Sequence, residues 1–179
     1  MTATELSLVI PTLEHRQDAM DYRRECIEND YWSPGGHIHG SGSLNRYESY
    51  DEWLGMIEKA AKSPAPDWVP ITQYFGICNN KIIGTIQIRH CLNDSLLLHG
   101  GHIGYSVRPS ERRKGFATKM LALALKECKK LGIGRVLITC DKNNTGSART
   151  IQKNGGILEN EIKNDDGGIL QRYWIDIGI

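Results

Sequence analysis

The stretch from His102 to Leu121 constrains the fold more than any other part of the chain. Ile103, Tyr105 and Val107 alternate along its first part, the period-two pattern of a half-buried strand. Pro109 closes that strand because it has no N–H to give to a ladder. A polar turn from Ser110 to Gly115 follows. Ala117, Leu121, Ala124, Leu125, Cys128 and Leu131 then recur at threes and fours, which predicts a helix. The strand therefore feeds through a basic, glycine-containing turn directly into a helix N-terminus. Such a terminus attracts anions, because its first N–H groups lack partners and the helix dipole is positive there. Gly115 lets the backbone approach a ligand and the small Ala117 keeps the approach open. Arg112, Arg113 and Lys114 add positive charge. The physical chemistry of this stretch suits a phosphate. A solvated surface turn would carry similar charges, so the spacing has to decide between the two.

The 179 residues are enough for one domain with a proper core, expected to span residues 1–179. A net charge of +1 argues against a broad nucleic-acid face, and the basic cluster is local. No apolar run reaches membrane-spanning length, and the N-terminus lacks a signal-peptide layout, so no membrane partner is expected. The five cysteines (Cys26, Cys78, Cys91, Cys128 and Cys140) are odd in number, scattered and never spaced C-x-x-C. They read as reduced thiols, mostly small core residues, of a cytoplasmic protein.

Along the chain, Leu6 to Ile10 reads as a short strand, and Thr12 to about Asn29 as a helix. The segment Tyr31–Ser43 is too rich in glycine and serine for regular structure. It is an exposed flexible loop or, with Tyr31 and Trp32 beside it, a substrate lid. His37 and His39 have no carboxylate or cysteine set with them, so no metal is expected. Tyr47–Lys62 forms a second helix with Tyr50, Trp53, Leu54, Ile57 and Ala61 on one side. Ile71–Cys78 and Lys81–Leu92 form a hairpin through Asn79-Asn80. After the central helix, Arg135–Cys140 is a buried strand expected to run parallel to the one before. Asn144 and Gly155 are suited to begin and end a short helix. A final hairpin joins Ile157–Glu161 to Ile169–Ile177.

The spacing Val107-x-Pro109-x-x-Arg112-x-x-Gly115-x-Ala117 resembles the acyl-CoA pyrophosphate signature of the GNAT (GCN5-related N-acetyltransferase) superfamily, with every fixed position met. Neither a dinucleotide loop nor a P-loop pattern occurs in the chain. About thirty residues on, Asn144-x-x-Ser147 followed by a helix and Gly155 resembles the second GNAT signature. The element order β-α-α-β-β-β-α-β-α-β-β is that of the superfamily. It implies an α+β fold: a central mixed, mostly antiparallel sheet of six to seven strands with helices on both faces. The resemblance covers essentially the whole chain and is strongest from Lys81 onward. Arg89-His90, His102-Ile-Gly-Tyr and Arg172-Tyr-Trp-Ile look like a little-characterised bacterial branch.

What the resemblance implies is direct transfer of the acetyl group of acetyl-CoA to a primary amine of a small molecule or peptide, without a metal. Backbone amides of Arg112, Arg113, Lys114, Gly115, Phe116, Ala117 and Thr118 would hold the pyrophosphate. Asn144 and Ser147 would bind the CoA arm, and the main chain at Tyr105 and Val107 would pair with pantetheine as an added strand. His102 and His90 are candidates for the base that frees the amine. Family members often carry a tyrosine seven residues after the motif asparagine to protonate the departing thiolate. Here Ile151 stands there, which leaves Tyr105, Tyr173 or water. Acceptor-site candidates are Trp32, Tyr47, Trp53, Glu159, Glu161 and Asp166, whose acids would suit a cationic amine. A homodimer is compatible with family habit. The Ile151 departure also admits a catalytically weak acyl-CoA-binding or sensing module, and the Arg112–Lys114 patch a nucleic-acid-binding module. Near-neutral charge makes the last the poorest fit.

Overall fold

The computed structural model describes residues 5–29, 37–164 and 167–178. Four strands, β1 (Ser7–Val9), β2 (Ile71–Cys78), β3 (Lys81–Arg89) and β4 (Ile103–Val107), form one antiparallel sheet in that order. Three more, β5 (Arg135–Asp141), β6 (Ile157–Lys163) and β7 (Ile169–Asp176), form a second in the order β5-β7-β6. The four helices are α1 (Arg16–Asn29), α2 (Tyr50–Lys62), α3 (Phe116–Lys130) and α4 (Thr145–Lys153). The seven strands and four helices come in the expected α+β order. Among the described residues no helix is long and apolar enough to cross a membrane.

Among the described residues no ladder joins β4 to β5, and the ladders within the two sheets are antiparallel. The reason lies at His102, just before β4. Its own N–H donates to Leu137 O (2.7 Å), while its ring Nδ1 accepts from Leu137 N–H (2.9 Å). A side chain thus takes the place of a backbone carbonyl, and the two sheets meet at a point.

Helices cover both faces. Ile83, Ile86, Ile88, Ile103 and Val107 pack with Met120, Leu121 and Ala124 of α3 and with Val136 and Ile138 of β5. On the other face, Ala19, Tyr22 and Cys26 of α1 and Tyr50, Trp53, Leu54 and Ile57 of α2 enclose Phe75 and Ile82. The buried face of α2 ends at Ala60 and not Ala61, and the helix begins at Tyr50, where Ser49 caps it by accepting from Glu52 N–H. In α3 the expected Leu131 lies past the helix end and is 42% exposed. Met120 completes that core instead. Its sulfur fills the hollow over Gly76 and Gly84, which face each other across β2 and β3.

The described part of the Tyr31–Ser43 loop is docked, not free. Tyr31 and Trp32 lie outside the described residues. Ile38 and Ser41 are buried, and Trp53 Nε1 donates to Ser41 O (2.9 Å). Gly40 adopts φ +69° against Gly104 of β4, where a Cβ would stand 2.0 Å from the Gly104 oxygen. No other residue fits there. Gly40 O accepts from Gln73 Nε2 (2.8 Å) and Thr85 Oγ1 (3.0 Å), and Ser106 Oγ donates to His39 O (2.8 Å).

Arg108 fastens α1 to the end of β4. Only 5% exposed, it donates Nε to Ile82 O (2.7 Å) and pairs with Asp18 and Glu25. Arg108→Ala strands Asp18 and is expected to cost about 3 kcal/mol, the range for breaking a withdrawn pair from one side. Arg16→Ala, which breaks the exposed pair with Asp51, is expected to cost less than about 1 kcal/mol. Urea unfolding of both variants, with unchanged m-values, checks the difference; equal losses would contradict it.

Candidate active site

Strand β4 presents two chemically different faces and one open edge. Arg89 N–H donates to His102 O (2.8 Å), and Arg108 N–H to Ile83 O (2.7 Å). With the register Ile88↔Ile103 to Gly84↔Val107, these bonds turn the His102 carbonyl and residues 104, 106 and 108 toward β3, while the His102 N–H goes to Leu137. The N–H and C=O groups of Ile103, Tyr105 and Val107 then point the other way, toward β5, with which β4 forms no ladder. An extended polar chain could add itself along this edge.

The edge runs into the turn. Pro109–Glu111 is a single 3-10 turn, and Arg112 is extended with its Nε donating to Val107 O (3.1 Å). Arg113 and Gly115 take left-handed conformations, at φ +64° and +81°. Gly115 is the N-cap residue of α3 and has no side chain, so the first-turn N–H groups of Phe116, Ala117 and Thr118 receive no cap from it. A Cβ on Gly115 would meet nothing within 4 Å, so the space over this terminus is open. Lys114 is drawn into an ion pair with Glu111 (2.8 Å), which also binds Lys81 (2.9 Å).

The motif on α4 converges on the same gap. Asn144 Oδ1 accepts from Ser147 N–H (3.0 Å) and starts the helix. Ser147 Oγ stands 2.8 Å from Tyr105 Oη, across from β4. Burial pushes the Tyr105 phenol up to about 12, so it stays protonated. Ile151, where the family's tyrosine is often found, is fully buried in the core. A hydroxyl therefore reaches α4 from the strand side, an arrangement that sequence spacing along α4 could not reveal.

The other candidates are placed apart. Tyr173 is buried in the core with Oη donating to Gln171 Oε1 (2.8 Å). His90 is tied to β2, its Nε2 lying 2.8 Å from Thr72 Oγ1, and burial lowers its pKa. His102 is 7% exposed, and burial together with the Arg89 charge lowers its pKa to about 4. Because Nδ1 accepts the Leu137 N–H, the neutral ring carries its proton on Nε2. Of the proposed acceptor-site acids, Glu159 is held by Arg172 (2.6 Å) and Glu161 by Lys142 (2.8 Å). Asp166 and Trp32 lie outside the described residues, while Trp53 is buried in the α2 core. No group of three or more metal-ligating side chains occurs among the described residues.

A residue that sequence reading did not assign to the site is Arg89. It donates Nη1 to Gly100 O (2.9 Å) and Gly101 O (3.0 Å), and its charge reaches both His102 and His37. The only signal for it in sequence is its place at the end of the strand before β4.

The His102 geometry makes stability depend on pH. The folded ring titrates near 4 and the unfolded one near 6.5, so between these values the unfolded chain binds the extra proton. The contribution is complete above pH 6.5 and is lost as pH falls to 4, a loss of at most about 3 kcal/mol. His102→Asn keeps an acceptor for Leu137 N–H without the titration. Denaturation midpoints from pH 7 to 4 are expected to fall less in this variant than in the wild type; parallel curves would contradict the account.

A family model described as an acetyltransferase (GNAT) domain matches residues 11–157. No curated protein matches the chain in sequence. Among solved structures, Mycobacterium smegmatis RimJ in complex with CoA-disulfide is similar at a TM-score of 0.72 and 17% identity, over 97% of this chain and 83% of that one. The Salmonella typhimurium acetyltransferase that modifies the N-terminal serine of ribosomal protein L7/L12 aligns at 0.67 and 20%, over 98% and 96%. The microcin C7 self-immunity acetyltransferase MccE, in complex with acetyl-CoA and AMP, aligns at 0.67 and 17%, over 99% and 98%. These likenesses share the fold, and the family match adds the chemistry. The chain belongs to the GNAT acetyltransferase family, the acyl-CoA-dependent N-acetyltransferases.

Proposed function

We propose that this enzyme transfers the acetyl group of acetyl-CoA to the α-amine of a small molecule or peptide by direct attack. The observation that carries the reading is the continuous polar edge from Ile103 to Val107, leading into the uncapped N-terminus of α3. The edge suits the amides of pantetheine, and the Arg112–Thr118 turn suits a pyrophosphate. Ser147, near the start of α4, reaches Tyr105 of β4, and Asn144 caps that helix, which supports their use toward the CoA arm.

In this reading the amine nitrogen attacks the thioester carbonyl beside the open edge of β4. A backbone N–H of β4 stabilises the negative charge on the carbonyl oxygen. The carbon–sulfur bond then breaks, and the Tyr105 hydroxyl gives its proton to the departing thiolate. The ammonium gives its proton to water, and water returns a proton to the Tyr105 phenolate. His102 acts here as a strand connector: its Nδ1 lone pair is used, and a group titrating near 4 is a weak base. An α-amine lessens the need for a strong base, since its pKa is about 7.7–8.0 against about 10.4 for a lysine side chain. The described neighbours fit this reading, as one of them modifies an N-terminal serine.

Gly115→Glu adds a carboxylate beside the α3 N-terminus and is expected to abolish acetyl-CoA binding in calorimetry, with a lowered but still cooperative melting transition of the free protein because φ +81° strains any side chain there. Retained binding would contradict the site. Tyr105→Phe is expected to lower kcat by about 10- to 100-fold on an α-amine acceptor, with acetyl-CoA affinity little changed. An unchanged kcat would remove Tyr105 from proton transfer.

A further inference from the structure

The charge balance at the acceptor end of β4 runs opposite to what a cationic substrate needs. Glu159 and Glu161 are already neutralised by Arg172 and Lys142. Arg89, by contrast, has no carboxylate partner among the described residues. The two most buried arginines, Arg108 and Arg172, are each paired with an acid. Arg89 is half-buried, and only two carbonyls, Gly100 O and Gly101 O, hold it through Nη1. Its Nη2 lies near Gly104, 3.7 Å from where a Cβ would stand on that residue. Gly104 is also where the docked Gly40 loop crosses β4, so the guanidinium sits between loop and strand.

Two further features favour an anion there. Neutral His102 carries its proton on Nε2 and is a second donor at the same end of β4. His37, on the docked loop, has its pKa lowered by burial and by the charges of Arg46 and Arg89, so the surrounding field is positive. Burial without a compensating acid lowers the Arg89 pKa as well. A guanidinium fixed on one side by carbonyls still offers Nε and Nη2, the donor pattern that carboxylates match.

We propose that Arg89 is the receptor for a carboxylate carried by the acceptor, so that the substrate is an α-amine with a carboxylate nearby, as in a short peptide. This rests on the acetyltransferase reading above and narrows its substrate class. The two carbonyl bonds orient the guanidinium toward Gly104, and the acceptor carboxylate neutralises it on binding. The cationic amines suggested by the acids of the last hairpin are disfavoured by the same field.

The test uses four acceptors with saturating acetyl-CoA: glycylglycine, its C-terminal amide, the amide of Gly-Asp, and cadaverine. Wild type is expected to use at least one carboxylate-bearing peptide with kcat/KM about tenfold or more above glycylglycine amide, the scale of a hydrogen bond to a charged group. Preference for glycylglycine points to a main-chain carboxylate, and preference for Gly-Asp amide to a side-chain one. Arg89→Gln is expected to raise KM for the favoured peptide and erase the preference, leaving kcat and the amide's rate nearly unchanged. Arg89→Lys, which keeps the charge, is expected to restore part of it. A merely structural Arg89 would instead lower all rates together and leave the preference intact. The proposal is overturned if wild type shows no carboxylate preference, favours cadaverine, or acetylates none of the four while binding acetyl-CoA. It is overturned too if Arg89→Gln keeps the preference. Failure to bind acetyl-CoA at all would instead overturn the enzymatic reading beneath it.

Discussion

The backbone and ring of His102 both bond to Leu137, and the geometry of the site follows from that contact. A ladder between β4 and β5 would consume every outward N–H and C=O of β4. The histidine ring ends the pairing after one residue, and the sheets part from there. Each of these two bonds is worth about 1 kcal/mol net, so they align the strands and do little to hold the halves together. That larger task falls to the core in which Met120, Leu121 and Ala124 of α3 cluster with residues of both sheets. The outward edge of Ile103, Tyr105 and Val107 stays out of any ladder with β5.

Other parts of the molecule keep that edge aimed. Arg108, immediately after β4, is buried against Ile82 O, Asp18 and Glu25 and fixes where the strand gives way to the turn. Beyond it the chain takes two left-handed residues, Arg113 and Gly115, and enters α3 with no side-chain cap. Most helices satisfy those first N–H groups with their own side chains. Leaving them open suits a terminus that meets a ligand. On one face of β4, Tyr105 reaches Ser147; on the other, Ser106 and Gly104 carry the Gly40 loop.

Local signals in the sequence covered much of this. The strand Ile103–Val107, the turn through Gly115 and the Asn144 cap are short-range patterns, and each appears where its residues predict it. What sequence reading missed depends on residues far apart. The docking of the loop depends on Gly40 meeting Gly104, two glycines 64 positions apart with no periodicity to connect them. The role of Met120 depends on Gly76 and Gly84 being opposite one another. The split between β4 and β5 depends on a ring nitrogen standing in for a carbonyl, which no hydropathy pattern encodes. The acids of the last hairpin suggested a cationic substrate because sequence cannot tell which carboxylates are already paired. Arg89 was passed over for the converse reason, since its lack of an acidic partner among the described residues is visible only in three dimensions.

The central claim is that the edge of β4 facing β5 receives the CoA arm. Residue-resolved amide hydrogen exchange, with and without CoA, tests it most directly. The N–H groups of Ile103, Tyr105 and Val107 are expected to exchange faster than those of Gly104 and Ser106 in the free protein, and to gain strong protection when CoA binds. Protection that leaves these three amides unchanged while CoA binds elsewhere would contradict the account.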